Sequence, residues 1–248
     1  MVLLTKTFYT GPIYQPVMSL FGAVKSELVT IYKHAGYSLT DWFHKQSTRK
    51  SACSPTAVII GGYLYIPSGL KGLSLDLEEE NIRSLLWEYC SWKAITTNAE
   101  EITEGIIDNY YNRGREIYLI GHSLGGLIQK DILSRLPELE NFVKSIVFLG
   151  VPHQGTYLAC LNYFVPACKD MIPGSEYLTE LNQRRLPSNI PITNIVSSKD
   201  QCVFPRCNAL LLEQDNIENI ILDNVGHIGM TERTDLIING LKRQMPAY

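Results

Sequence analysis

The sequence lacks an uninterrupted apolar run of the 18 or so residues that a membrane-spanning helix needs. It also lacks an N-terminal secretory pattern of a charged start, a continuous apolar run and a small-residue cleavage site. A cytoplasmic location is therefore the expectation, and secretion by a route without such a signal stays open.

The sequence also has no excess of basic residues. The 248 residues carry a formal net charge of −3, and the isoelectric point is about 6.0. The densest basic stretch, HKQSTRK at 44–50, is typical of a solvated loop. Nucleic acid is therefore not expected as a partner, and a hydrophobic content of 45% with 19% charged residues is typical of a globular protein.

The cysteine pattern is neither that of a disulfide scaffold nor that of a metal site. Six cysteines are scattered along the chain, at positions 53, 90, 160, 168, 202 and 207. No Cys/His cluster has metal-ligand spacing, so we expect no metal and no cofactor. Cys202 and Cys207 are close enough in sequence to form a disulfide, as are Cys160 and Cys168, but the missing secretory signal favours reduced thiols.

From residue 57 onward the sequence alternates between strand and helix patterns. The predicted strands are 57–66, 92–97, 116–121, 143–150, 191–198 and 218–223. The predicted helices are 77–90, 98–114, 123–136 and 231–244, the second with Asn98 as N-cap and Gly114 as C-cap. Such alternation predicts an α/β fold, a mostly parallel, doubly wound sheet with helices on both faces.

Two segments do not fit this alternation. Residues 1–56 contain one apolar helical face, which we expect to pack against the domain, with membrane or partner contact as the alternative. Residues 152–189 are rich in Tyr, Leu, Pro and Cys, and a loop this long predicts a functional element such as a lid. The prediction is a single domain over 1–248, with an N-terminal extension and a lid-like insertion.

GHSLG at 121–125 lies where a predicted strand meets a predicted helix, and it fits the G-x-S-x-G pattern of a nucleophile elbow. Gly121 and Gly125 are explained by the tight turn, in which side chains at these positions would collide. The helix that follows directs its positive N-terminal dipole at an anion beside the Ser123 hydroxyl. The alternative is an ordinary glycine-rich turn with Ser123 as a helix N-cap.

A serine nucleophile needs a base that an acid orients. Chains with this elbow order these groups as serine, acid and histidine, which leaves His153 and His227 as candidate bases. We favour His227, because His153 follows the next strand directly and leaves no strand end for an acid between them. Asp200 follows a predicted strand and is the expected acid, with a loop N-cap as its alternative role.

An acyl-transfer site also needs two backbone N–H groups that stabilise an oxyanion. The residue after the nucleophile, Leu124, supplies one of them. The turn after the first strand is expected to supply the other at Tyr63, because Gly61 and Gly62 let the backbone approach a substrate closely. The alternative is that these two glycines simply end the strand.

These motifs resemble those of α/β-hydrolases of the bacterial lipase and esterase type. The resemblance spans about 57–245 and is carried by GHSLGG, VFLGVPHQGT, DMIPGSEYLTELN, VSSKDQCVFP and NVGHIGM. It implies Ser123 as nucleophile, Asp200 as acid and His227 as base, with Tyr63 and Leu124 at the oxyanion hole. The family usually has His-Gly where this chain has two glycines at 61 and 62, and residues 1–56 match nothing in it.

The main functional hypothesis is hydrolysis of carboxylic esters, and lipid acyl esters in particular, through an acyl-enzyme on Ser123. The apolar stretch 157–168 could supply a wall for an acyl chain, or it could be core beneath a long loop. Acyl transfer, phospholipase and thioesterase activities would use the same three residues. A non-catalytic binding protein is the alternative from another class. The expected partner is a small-molecule or lipid ester substrate, and peripheral contact with a membrane or a lipid interface stays open.

Overall fold

A computed structural model describes residues 55–63, 70–109 and 116–245. Its six strands form one sheet in the order β2-β1-β3-β4-β5-β6, and every neighbouring pair is parallel. The strands are β1 (Thr56–Ile60), β2 (Arg83–Trp87), β3 (Ile117–His122), β4 (Val143–Leu149), β5 (Ile192–Ser197) and β6 (Ile217–Leu222). The predicted helical face within 1–56 and the predicted C-cap at 114 lie outside the described residues.

Six α-helices lie in the described part of the chain. They are α1 (Lys71–Glu79), α2 (Ile95–Asn109), α3 (Leu124–Arg135), α4 (Pro166–Asp170), α5 (Glu176–Gln183) and α6 (Thr234–Lys242). Across these same described residues, no helix is both long and apolar enough to span a bilayer.

The sheet is covered on both faces, as the alternating pattern predicted. Strand β1 is fully buried, and Val58 and Ile60 belong to an apolar cluster that includes residues of α2 and α3. Ile59, between them, belongs to a second cluster that includes residues of α1 and α6. Because successive strand side chains point to opposite faces, a strand buried on both sides has a continuous apolar sequence. The mostly parallel, doubly wound α/β prediction is therefore confirmed.

The predicted helix over 77–90 is wrong. Helix α1 ends at Glu79, Asn81 adopts a left-handed φ of 59°, and β2 begins at Arg83. Leu85 packs against the first apolar cluster and Leu86 against the second, on the other face of the sheet. An edge strand that contacts both clusters therefore produced apolar spacing that also fits a helix.

The predicted strand at 92–97 is also wrong, because α2 already begins at Ile95. Asn98 is not an N-cap but a buried residue of the first helical turn, and its side chain donates to the carbonyl of Cys90 (3.1 Å). The carboxylate of Asp170 accepts a hydrogen bond from the Ile95 N–H (2.9 Å). The start of this helix is thus stabilised by a residue that is distant in sequence.

The remaining predictions differ from the structure mainly at their ends. The strand predicted over 57–66 ends at Ile60, and Gly61 and Gly62 follow outside it. The strands predicted at 116–121, 143–150, 191–198 and 218–223 are present, as are the helices at 123–136 and 231–244, with end shifts of a few residues.

The predicted lid segment, 152–189, contains helices α4 and α5 and a 3₁₀ turn at Tyr157–Asn162. Its buried apolar side chains join the cluster that contains α2 and α3; they are Ala159, Ala167, Cys168, Met171, Leu178 and Leu181. The segment is therefore packed onto the domain through one side, and its role as a lid stays a prediction. No disulfide joins the cysteines that the structure describes.

Candidate active site

Ser123 lies at the sharp turn between β3 and α3. Its backbone has φ 53° and ψ −123°, a left-handed conformation that is strained for a residue with a side chain. Its N–H donates to the carbonyl of Leu149 (2.9 Å), which ties the turn to the end of β4. Ser123 stands at the N-cap position of α3, but its side chain makes no capping hydrogen bond there.

Two glycines let the nucleophile turn pack tightly against the sheet. A Cβ atom at Gly125 would lie 2.1 Å from the carbonyl oxygen of Ile60 at the end of β1. A Cβ atom at Gly121 would lie 2.6 Å from both Gln129 Oε1 and the Cα of Gly126. Side chains at these positions would therefore push α3 away from the strand ends.

Asp200 follows the end of β5 and is buried, with both carboxylate oxygens engaged. Its Oδ1 accepts hydrogen bonds from the backbone N–H groups of Cys202 (2.7 Å) and Val203 (2.9 Å). Its Oδ2 lies 2.8 Å from His227 Nδ1. Burial acts to raise the pKa of Asp200, but His227 and the two N–H donors outweigh it, so the pKa is lowered and the carboxylate stays ionised.

His227 lies in the loop after β6 and is also buried. Its carbonyl oxygen is 3.2 Å from His122 Nε2, and the two imidazole rings are 4.8 Å apart. Because a carbonyl only accepts, His122 carries its proton on Nε2. Burial and the neighbouring His227 lower the pKa of His122 to about 3, so this ring is neutral. His122 directly precedes Ser123, so this contact brings the nucleophile turn and the histidine loop together.

The predicted oxyanion turn adjoins Ser123. A Cβ atom at Gly62 would lie 2.9 Å from the Cβ of Ser123. The Tyr89 hydroxyl is within hydrogen-bond distance of the carbonyl oxygens of Gly61 (2.7 Å) and Gly62 (3.1 Å). In a trans peptide the N–H points opposite to the C=O, so the Tyr63 N–H points away from Tyr89. Leu124 is the first residue of α3, where backbone N–H groups have no partner within the helix.

His153, the histidine that the sequence analysis did not favour as the base, has other partners. His153 is buried, with its Nε2 3.3 Å from Asn194 Oδ1 and its ring edge-on to Phe148. Burial is the main reason that the pKa of His153 lies well below its usual value, and the positive charge of nearby Lys130 lowers it further.

Sequence reasoning missed three contributors to this region. Tyr89, whose hydroxyl contacts the carbonyls of Gly61 and Gly62, lies within the wrongly predicted helix over 77–90. His122 was considered only as part of the GHSLG motif. Cys202 was considered only for a disulfide, yet its Sγ, a carboxylate oxygen of Asp200 and a ring nitrogen of His227 lie within 4.8 Å of one another. The D-x-C spacing at 200–202 was a local signal for the thiol, but the histidine is 25 residues further on.

Comparisons with known proteins support the fold. No protein-family model matches the chain, and no curated protein sequence matches it. The mature lipase BlEst2 of Bacillus licheniformis aligns with 79% of this chain and 95% of its own, at a TM-score of 0.64 and 15% identity. Aspergillus fumigatus lipase B aligns with 82% of this chain and 56% of its own, at a TM-score of 0.65 and 16% identity.

Est1E from Butyrivibrio proteoclasticus is a further structural neighbour, with a TM-score of 0.57 and 15% identity. The alignment covers 80% of this chain and 93% of that protein. Together with the parallel sheet and its helices on both faces, these neighbours show that the chain has the α/β-hydrolase fold.

Proposed function

We propose that this protein hydrolyses carboxylic esters, and lipid acyl esters in particular, with Ser123 as nucleophile, His227 as base and Asp200 as acid. The observation that carries the proposal is the 2.8 Å contact between buried Asp200 and His227, next to a serine held in a strained strand-to-helix turn. A buried carboxylate that orients an imidazole is the arrangement that activates a serine hydroxyl.

In the proposed reaction the Ser123 oxygen attacks the ester carbonyl carbon while a ring nitrogen of His227 takes the hydroxyl proton. The tetrahedral intermediate carries its negative charge on the former carbonyl oxygen, next to the N–H groups of Leu124 and Tyr63. Collapse of the intermediate breaks the ester C–O bond, and His227 returns the proton to the leaving alcohol. Water then attacks the acyl-enzyme by the same steps and releases the carboxylic acid.

The surroundings of Asp200 suit this role. The two backbone N–H groups occupy Oδ1 and leave Oδ2 directed at His227. A lowered pKa keeps the carboxylate charged when His227 becomes a cation during the reaction. Low exposure of the pair strengthens this attraction, because little water screens it.

The lipid part of the proposal rests on an apolar surface beside this site. In the 157–168 segment, Leu161 is 81% exposed and Phe164 is 96% exposed, so neither is a core residue. The Tyr157 N–H donates to the carbonyl of Phe204 (2.9 Å), which follows Asp200 closely in the chain. An exposed apolar surface that is hydrogen-bonded to the loop after Asp200 suits a substrate with an acyl chain, or contact with a lipid–water interface.

The proposal is tested with p-nitrophenyl esters of increasing acyl length. Ser123→Ala should reduce kcat by about 10³-fold or more, because the nucleophile of such a triad is lost. The matched control is Ser188→Ala at an exposed loop position, which should keep the parent rate. A fluorophosphonate probe should label Ser123 in the parent protein. Undiminished hydrolysis by Ser123→Ala, or labelling at a different residue, would contradict the proposal.

A further inference from the structure

A thiol lies beside the Asp200–His227 pair. The Cys202 sulfur, an Asp200 carboxylate oxygen and a His227 ring nitrogen are all within 4.8 Å of one another. Ligands of a tetrahedral zinc ion lie about 2.0–2.3 Å from the metal, and therefore about 3.3–3.8 Å from each other. Shifts of about 1 Å at these side chains would thus allow one ion to contact all three.

The three donors are the ligand types that zinc prefers. Thiolate, imidazole and carboxylate are its usual protein ligands, and three of them leave a fourth position for water. Thiolate also favours soft ions over Mg²⁺ and Ca²⁺, which bind through oxygen. Cys202 is exposed whereas Asp200 and His227 are buried, so an ion would reach the pair from the thiol side.

The position of Cys202 is set by the turn that holds Asp200. The Cys202 N–H donates to Asp200 Oδ1 (2.7 Å), and its carbonyl accepts a hydrogen bond from the Thr156 hydroxyl (2.8 Å). Both backbone groups are therefore held, one by Asp200 and the other by Thr156, the residue before the 157–168 segment. The thiol is next to the pair because of this turn and not because of a loosely placed loop.

We propose that Cys202, Asp200 and His227 form a site for a soft divalent cation such as Zn²⁺, and that occupation of this site stops the reaction at Ser123. On binding, the thiol releases its proton to solvent and a sulfur–zinc bond forms, with no change of oxidation state. His227 Nδ1 gives up its hydrogen bond to Asp200 Oδ2 and donates its lone pair to the ion, and its proton moves to Nε2. With both ring nitrogens occupied, His227 has no lone pair left to accept the Ser123 proton. The inhibition rests on the proposed hydrolase function, whereas ion binding does not.

Ion binding is tested without catalysis, on the full chain carrying Ser123→Ala. Co²⁺ replaces Zn²⁺ as a spectroscopic probe, because a thiolate–cobalt bond produces a charge-transfer absorption band. The expected result is a saturable band at one ion per chain. The band should disappear when Cys202→Ser is added, and it should persist when Cys207→Ser, at another exposed cysteine, is added instead. A band that survives Cys202→Ser, or no band at all, would overturn the site.

Inhibition is tested by titrating zinc chloride into the ester assay, with each variant measured against its own zinc-free rate. Cys202→Ser should raise the zinc concentration for half-inhibition by about 10-fold or more, because loss of even an outer-shell partner of a metal ligand costs about 10–100-fold in affinity. Cys207→Ser should match the parent, and a chelator should restore the rate. Equal zinc sensitivity of the parent and Cys202→Ser would refute the regulation. A parent that never hydrolyses esters but shows the cobalt band would refute the proposed function alone.

Discussion

His122 supports the proposed base without occupying a place in the reaction. Its Nε2–H donates to the carbonyl of His227, and its ring packs against the ring of His227. Since its pKa is lowered to about 3, His122 stays neutral at any pH at which the protein would work. A protonated His227 would therefore face a neutral neighbour instead of a second cation.

Replacing His122 should affect turnover more than substrate binding. His122→Phe keeps an aromatic ring but loses the hydrogen bond, which contributes about 1 kcal/mol, so kcat should fall by about 5- to 10-fold with little change in KM. His122→Gln keeps an N–H donor and should recover part of the loss. Steady-state kinetics on a soluble p-nitrophenyl ester, with thermal melting of each variant, measures this. Equal kcat values for His122→Phe and the parent would contradict the positioning role.

Helices α3 and α5 are joined by a buried lysine. Lys130 on α3 donates to Asn182 Oδ1 on α5 (2.8 Å), and the Asn182 amide donates to the carbonyl of His153 (2.8 Å). The helix that begins at the nucleophile turn is thereby linked to the 152–189 segment. Burial lowers the pKa of Lys130 to about 8, because the charged ammonium is poorly solvated there.

This lysine should give stability a defined pH dependence. Between about pH 8 and 10.5 the unfolded chain keeps the Lys130 proton while the folded chain loses it. The free energy of unfolding of the parent should therefore rise with pH in this window, by about 2–3 kcal/mol. Lys130→Met lacks this contribution, so its stability relative to the parent should fall over the same window.

Urea unfolding of both proteins, at intervals from pH 7 to pH 10.5, measures the difference. Buried tyrosines also titrate at high pH, but they are common to both proteins and cancel in the comparison. Parallel stability curves would show that Lys130 titrates with its ordinary pKa.

The strands and helices differ in how well the sequence alone could predict them. Strands buried on both faces, such as β1 and the second half of β4, have continuous apolar runs, so their pattern indicated a strand. The edge strand β2 has half-buried residues throughout, and its spacing fitted a helix equally well. Helix α2 starts where the distant Asp170 caps it, which no local pattern could reveal.

The sequence could predict those residues of the candidate site that stand in a motif directly after a strand. Ser123, Asp200 and His227 each follow a strand. Chain order reduced the candidate bases to His153 and His227, and the need for a strand end between the serine and the base favoured His227. The contributions of Tyr89 and Cys202 depend on contacts across different loops. Such contacts become visible only when the strand ends are brought together.

At the scale of the whole molecule, the residues of the proposed site lie at the end of the sheet formed by the carboxyl ends of its strands. The loops that follow β1, β3, β5 and β6 carry, in turn, the oxyanion turn, the serine, the acid and the base. In a parallel sheet these strand ends lie on the same side, which is where open α/β proteins bind ligands. The exposed apolar segment at 157–168 follows β4 and therefore belongs to this same end.

If that segment contacts lipid, its exposed side chains should matter only for aggregated substrates. The double variant Leu161→Ser with Phe164→Ser removes two large apolar side chains from water-exposed positions. Burial of each in a lipid interface would contribute about 1.5–3 kcal/mol, so activity on emulsified or vesicle esters should fall by at least about 10-fold. The rate on a soluble short-chain ester should change far less.

The matched control is Leu212→Ser. Leu212 is 84% exposed, but it precedes β6 and so lies toward the opposite end of the sheet. This variant should keep the parent's ratio of emulsion to soluble activity. A double variant with an unchanged ratio, or a Leu212 control with the same loss, would show that the 157–168 segment does not select lipid surfaces. The substrate would then have to be sought among soluble esters, because the proposed roles of Ser123, Asp200 and His227 do not depend on this surface.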